Sequence, residues 1–441
     1  MSVSPARNAA FEILMRVETT DAYASELLHS SRFEKLSTAD HALLTELVMG
    51  VLRWRRVLDD KITAFSTQPL ARLDREVLTA LRLGAYQLLF LDRIPAHAAI
   101  HESVELVKQA RKRSAAGMVN AVLRKVLNSH FSQNRAVVAH PTFDYSSTHP
   151  IWLVERWTET YGQESTQKIC SYDQAAPATA IRIGFGASGQ RNIAEAKGKQ
   201  FAPGRLLAHA EIASGDVTRS AAFREHRLMI QDEASQLVAL LVGEGKNILD
   251  CCAAPGGKTR IIAQQNPDAT VVALDLHQHR AALMRRLVTE ANLRIMAGDI
   301  RQTPFSKEFD RILVDAPCSG TGTIARNPEI KWRLKLEDVA RLQQYQVEIL
   351  TSAMKHVAAG GRLVYSTCSL EPEENQQVVE RVLAGDVRFR VLDGKDELRK
   401  LQQSGELTWS DLDSLLTGPY LRTLPGVHPC DGFFAAVLQK D

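Results

Sequence analysis

From about residue 226 onward, short apolar runs near 247–250, 270–274, 294–297, 310–314 and 361–366 alternate with helical patterns such as Glu233 to Val242 and Leu336 to Ala358. Strands that take turns with helices predict a mostly parallel sheet covered on both faces. In such sheets ligands bind beyond the carboxyl ends of the strands. The first of these ends is Asp250-Cys251-Cys252-Ala253-Ala254-Pro255-Gly256-Gly257-Lys258-Thr259, a turn of small residues between Ile248-Leu249 and a helix-like segment. Ala and Gly let the backbone come close to a bound molecule, and the N–H groups of the following helix start point into the same crevice.

Two phosphate-binding alternatives fail on spacing. A G-x-x-x-x-G-K-[ST] loop needs glycine five positions before Gly257, where Cys252 stands, and this turn holds no G-x-G-x-x-G. The next two runs nevertheless end in acids: Asp275, 19 residues after Gly256, and Asp299 within Ala297-Gly298-Asp299. That first distance is usual for a ribose-binding carboxylate. Acids without a pyrophosphate fingerprint suit an adenosine ligand that carries no phosphate, which points to S-adenosylmethionine.

Two cysteines fall at later strand ends. Asp315-Ala316-Pro317-Cys318-Ser319-Gly320 follows the fourth run and Ser366-Thr367-Cys368-Ser369 the fifth, 50 residues from one cysteine to the other. Cys170, Cys251 and Cys430 read instead as small buried apolar residues. Carbon 5 of cytosine is too weak a nucleophile to attack a sulfonium methyl unaided. A thiolate added to carbon 6 makes the ring enamine-like, so such chemistry needs a cysteine, a group that holds the base and a route for proton removal. Asp315 is suited to hold the base; this chemistry alone leaves open which cysteine attacks.

Upstream, the pattern from Ala6 to about Asn128 is helical. Phe11, Leu14 and Val17 recur at helical spacing, as do Leu44, Leu47, Val48, Val51 and Leu52, then Val77, Leu81 and Leu88; Ser37-Thr38-Ala39-Asp40 reads as a helix start. Residues 1–140 carry 19 Lys and Arg against 14 Asp and Glu, while the whole chain nets only +3, so the basic excess is N-terminal. Its clusters, Arg53-Arg55-Arg56, Lys108-Arg111-Lys112-Arg113 and Arg124-Lys125, suit RNA contact or a solvated face. Residues 131–145 lose periodicity and read as a linker. The division expected is therefore a helical domain over 1–140, a small mixed α+β domain over 141–225 and an α/β domain over 226–441. Within the second, Ala180 to Ile183 predicts a strand, 184–204 loops, and Trp152 and Trp157 packing positions. Gly432 to Leu438 predicts a last strand in an edge hairpin.

No run of about 18 apolar residues could span a membrane, and the start lacks the apolar stretch of a secretory signal, so a cytoplasmic protein is expected. Six cysteines without paired C-x-x-C knuckles suggest reduced thiols and no metal site.

Leu43 to Trp54, Ile94 to Val104 and Val119 to Arg124 together resemble the NusB family of RNA-binding domains. The turn Asp250 to Thr259, Asp315 to Gly322, Arg326-Asn327-Pro328-Glu329-Ile330-Lys331-Trp332, Tyr365 to Leu370 with Glu373-Glu374-Asn375, and Asp431-Gly432-Phe433-Phe434 resemble RNA (cytosine-5) methyltransferases. Five motifs in order, behind a NusB-like front, are similar to the bacterial enzymes of the Sun/Fmu/RsmB type along nearly the whole chain. The resemblance implies an all-α NusB-like bundle and a Rossmann-like, seven-stranded methyltransferase domain acting as a monomer on 16S ribosomal RNA. It implies cofactor contacts at Cys252, Ala253, Ala254, Pro255, Gly256, Gly257, Lys258, Asp275, Asp299 and Asp315, Cys368 as nucleophile, and Cys318 in product release. Lys331 and Trp332 could touch RNA, although packing is the commoner role of such a Trp; Glu373-Glu374-Asn375 is accounted for by an acidic helix start. An RNA-binding assembly factor with a catalytically silent scaffold is the alternative, against which stand the cysteine pair and the three acids.

Overall fold

The computed structural model describes residues 3–33, 35–132, 144–182, 201–215, 217–225, 228–303 and 305–441. Its contacts divide the chain into two compact units: Met1–Ala176 with Ile324–Arg333, and Pro177–Thr323 with Leu334–Asp441.

The first unit is helical: α1 (Pro5–Thr19), α2 (Ala24–Leu28), α3 (Thr38–Arg53), α4 (Arg55–Thr63), α5 (Arg75–Phe90), α6 (Ala96–Gln109), α7 (Ala116–Ser132) and α8 (Ile151–Gln174). Ser37 caps α3, its side chain accepting from the Asp40 N–H as expected of a Ser-x-x-Asp start. The predicted periodicity becomes the core, where Ile13 and Leu14 of α1, Leu44, Leu47 and Val48 of α3 and Leu81 of α5 are buried together. Each fully buried Leu contributes about 1.5–3 kcal/mol. Helices α3 and α5 meet at Gly50, where an added Cβ would lie 1.9 Å from the Tyr86 ring; Gly50→Ala would force them apart. Trp157 is buried, in keeping with a packing role.

The Ile324–Arg333 segment is part of this unit. Trp332 Nε1 donates to Leu52 O at 2.6 Å, Arg333 to Val17 O and Ala22 O, and Lys331 Nζ to Arg53 O at 3.2 Å, while Glu329 accepts from the Ala24 N–H. These groups serve carbonyls and an N–H group at or beside helix ends, which lack intrahelical partners. Lys331 and Trp332 are therefore packing residues; Lys331 is fully buried, and burial pushes its ammonium down to about 7.

In the second unit a small antiparallel sheet has the order β2-β3-β1-β4, formed by β1 (Thr179–Arg182), β2 (Phe201–Pro203), β3 (Ala210–Ala213) and β4 (Met229–Ile230). Helix α8 groups with the helices of the first unit, and these strands group with the second. Most of the expected linker, the last residue of the expected strand and residues 184–200 of the expected loop region lie outside the described residues.

The large sheet contains β5 (Asn247–Asp250), β6 (Thr270–Asp275), β7 (Leu293–Ala297), β8 (Phe309–Asp315), β9 (Val357–Thr367), β10 (Phe389–Val391), β11 (Leu416–Thr417), β12 (Tyr420–Arg422) and β13 (Phe434–Lys440). Its order is β11-β12-β13-β9-β8-β5-β6-β7, with β10 also on β13. The seven strands from β12 to β7 form the expected methyltransferase path; β10 and β11 bring the total to nine. Strands β7, β6, β5, β8 and β9 are parallel, whereas β13 runs antiparallel to β9. Strand β13 is interior rather than an edge: its apolar run Phe434 to Leu438 is buried between β9 on one side and β12 and β10 on the other. The chain order reverses at β5, so the crevice opens beyond the ends of β5 and β8. Connecting helices include α9 (Glu233–Leu240), α10 (Gly257–Gln265), α11 (Gln278–Leu287), α12 (Leu336–Met354), α13 (Gln376–Leu383) and α14 (Gly394–Gln403). Among the described residues no helix is long and apolar enough to cross a membrane.

Candidate active site

The small-residue turn runs from the end of β5 into α10, and Gly256 adopts φ +109°, which favours glycine. A Cβ there would also meet Val288 at 2.6 Å, so packing inside the unit, as well as ligand approach, demands glycine. The turn is pinned at two points: Ala253 N–H donates to Leu274 O at 2.9 Å, and Ala254 N–H to Asp275 Oδ2 at 3.2 Å. Asp250 is buried under it, holding Thr259 Oγ1 and the Cys252 N–H, and burial pushes its carboxyl up to about 7.

Every predicted site residue falls at the same end of the parallel sheet. Asp275 closes β6, Asp299 follows β7, Asp315 closes β8, and Cys368 follows β9. Asp275 accepts the His277 N–H at 2.9 Å through its second oxygen. Asp299 is clasped by the Arg301 guanidinium, which holds its carboxyl below the usual value. Asp315 receives Lys258 Nζ at 2.6 Å on one oxygen and Ser366 Oγ at 2.8 Å on the other, and Lys258 Nζ stands 4.9 Å from the centre of the Phe433 ring.

The sulfurs of Cys318 and Cys368 are 3.3 Å apart, and both residues are half-buried. The hydrogen bond to Cys368, then burial, holds the Cys318 thiol well above the ordinary thiol value. Backbone bonds stitch the two loops: Gly322 N–H donates to Cys368 O at 2.9 Å and Leu370 N–H to Thr321 Oγ1 at 2.8 Å. Gly432 N–H donates to Gly322 O, and a Cβ on Gly322 would lie 2.2 Å from Gly432 O, so this third loop closes only over glycine. All six cysteines are free, and Cys170, Cys251 and Cys430 are buried as expected.

One cluster exceeds the sequence reading. Glu374 and Asn375, taken as an acidic helix start, are wholly buried behind the cysteines and bonded to Ser319, Ser369, Gln346 and Thr367. Their place next to the Thr-Cys motif was the available signal. The Arg53-Arg55-Arg56 cluster is also structural: Arg55 pairs with Glu18, and Arg53 and Arg56 donate to Ala325 O and His149 O.

The donor set selects the cofactor. Three carboxylates at successive strand ends accept hydroxyl and amine protons and favour a cationic ligand, and they repel a pyrophosphate; Lys258 is already paired to Asp315. The residues fit S-adenosylmethionine, a sulfonium with ribose hydroxyls, an exocyclic amine and an ammonium group.

A Rossmann-like sheet with this strand order and this ligand preference defines a methyltransferase. Residues 237–439 match the family described as 16S rRNA methyltransferase RsmB/F, and residues 4–128 match the NusB family. The chain is 35% identical to the probable ribosomal RNA small subunit methyltransferase B of Bacillus subtilis, covering 100% of each. It is 33% identical to the ribosomal RNA small subunit methyltransferase B of Vibrio cholerae, covering 98% of this chain and 97% of that one. The crystal structure of PH0851 shares the fold, with a TM-score of 0.80, 23% identity and 100% of both chains covered. The chain belongs to the RsmB/F methyltransferase family, with a NusB-family N-terminal region, and its cofactor is S-adenosylmethionine.

Proposed function

We propose that this protein methylates carbon 5 of a cytosine in 16S ribosomal RNA, in the cytoplasm, through a covalent bond between Cys368 and carbon 6. The observation that carries the reading is the thiol pair at the ends of β8 and β9, 3.3 Å apart and beside the Asp315–Lys258 ion pair. Relatives of matching length are named for small-subunit ribosomal RNA, which supports the substrate.

Bound S-adenosylmethionine supplies an electrophilic methyl group. Asp275, Asp299 and the turn from Cys252 to Lys258 hold the cofactor. Asp315 accepts the exocyclic amine of the base. The Cys368 thiolate would form the bond to carbon 6, and the electron pair of the carbon 5–carbon 6 double bond would go to carbon 5, which would take the methyl while the methyl–sulfonium bond breaks and its electrons stay on sulfur as a neutral thioether. Carbon 5 then loses its proton to water, the C–H electrons restore the carbon 5–carbon 6 double bond, and as the sulfur–carbon 6 bond breaks its electrons return to the Cys368 sulfur. Cys318, whose sulfur touches that of Cys368, takes the part in release that the family resemblance gives it.

Incubation with tritiated S-adenosylmethionine and unmodified 16S RNA, followed by nucleoside analysis, should return label in 5-methylcytidine. Label in another nucleoside, or none, would overturn the reading.

A further inference from the structure

Glu374 has no place in the chemistry above, yet it is 0% exposed and surrounded by donors. Its Oε1 accepts the Ser319 N–H at 2.8 Å and Gln346 Nε2 at 2.9 Å, and its Oε2 accepts Ser369 Oγ at 2.5 Å and Ser319 Oγ. Ser319 directly follows Cys318, and Ser369 directly follows Cys368. A single carboxylate thus grips the residue beside each sulfur. Gln346, reaching in from α12, also donates to Pro317 O on the far side of Cys318. Asn375 completes the other loop: it accepts from Thr367 Oγ1 and donates to Ser369 O, the two neighbours of Cys368. A glutamate needed only at a helix start would remain in solvent, where the helix end attracts it at no desolvation cost.

We propose that Glu374 is a positioning residue that sets the distance between the Cys318 and Cys368 sulfurs by clamping both loops from behind. The proposal rests on the reading of these cysteines as the reacting pair. The clamp answers a need of that chemistry: one sulfur must reach carbon 6 while the other stays beside the bond to be broken, and a displacement near 1 Å is costly in such an arrangement. The Glu374 charge also adds to the influences that hold the Cys318 thiol up.

The distance can be read without RNA. Diamide takes two electrons and two protons from a pair of thiols, becoming the hydrazine and leaving a disulfide, and peptide mass spectrometry identifies the Cys318–Cys368 product. In Glu374→Gln this product should form at least tenfold more slowly than in wild type, with S-adenosylmethionine affinity and cooperative melting retained. Loss of a nearby negative charge alone favours thiolate and would speed the reaction, so slowing identifies lost alignment. In methyl transfer, kcat should fall while KM for RNA holds. If Glu374→Gln does not fold, Ser319→Ala with Ser369→Ala, which removes both hydroxyl arms, carries the same expectation. Crosslinking at the wild-type rate in the folded variant overturns the proposal. Failure of the wild type to methylate cytosine would instead overturn the assigned function, leaving the crosslinking result intact.

Discussion

Cys318 Sγ and Cys368 Sγ stand in contact at 3.3 Å, although 50 residues separate them along the chain. Two thiols so placed divide the labour of a covalent reaction, one forming the bond and the other acting when it breaks. Cys368→Ala should therefore be inactive and never covalently bound to RNA. Cys318→Ala should accumulate a denaturation-resistant protein–RNA adduct, visible as a gel shift with 16S RNA and S-adenosylmethionine present. An adduct in Cys368→Ala alone would reverse the two roles.

Asp275 should govern cofactor affinity. Charged hydrogen bonds to ribose hydroxyls contribute about 1.5–3 kcal/mol, so Asp275→Ala should bind S-adenosylmethionine roughly ten- to hundredfold more weakly by calorimetry. Part of that loss comes from the Ala254 N–H, which Asp275 also holds. An unchanged dissociation constant would remove Asp275 from the site.

The basic clusters of the helical unit should separate by experiment. Arg113, Arg124 and Lys125 are exposed, whereas Lys112 pairs with Asp74 at 3.0 Å. Replacing Arg113, Arg124 and Lys125 with Ala should weaken RNA binding and flatten its salt dependence by about 0.7–0.9 per lost phosphate contact, with cofactor affinity unchanged. Wild-type affinity and slope would make them a solvated face. Arg55→Ala, in contrast, should lower the melting temperature, since Arg55 braces Glu18 inside the unit.

Lys331 should leave a signature in the pH dependence of stability. Its folded value of about 7 lies below the 10.5 of an unfolded lysine, so between these limits the unfolded chain binds the extra proton. Stability then rises with pH from about 7 to 10.5, by at most about 1.4 kcal/mol per pH unit. Measured against Lys331→Met, the wild-type denaturation midpoint should gain between pH 7 and pH 9. A constant difference would place the Lys331 titration elsewhere.

Much of this architecture was legible from residue order because its signals are local. Ser37 caps its helix through Asp40, three residues away, and the five parallel strands occupy their apolar runs, each ending near the expected acid or cysteine. Position within the sheet was less legible. Phe433-Phe434 near the chain end suggested an edge, but β13 is buried between partners contributed by residues 357–367 and 389–422. Glu374 is hard to read for the same reason: beside Pro372 it looks like an ordinary helix start, its nearness to the Thr-Cys motif is the one local signal, and the approach of Ser319, 55 residues away, reveals its work. Lys331 and Trp332 sit in a methyltransferase-like motif, yet their partners are carbonyls near residue 50.

That last arrangement bears on how the molecule can be divided. The Ile324–Arg333 stretch lies deep in the second half of the sequence but completes the fold of the first half. A chain begun after Ala176 would keep Trp332 and Lys331 while losing the carbonyls of Leu52 and Arg53 that receive them, and a chain ended there would leave those carbonyls unserved. The two halves are interlaced in the gene, so neither is portable: no single cut yields two complete folds, and insertions or exchanges that respect the obvious boundary near residue 140 still sever one unit from a segment of its own fold.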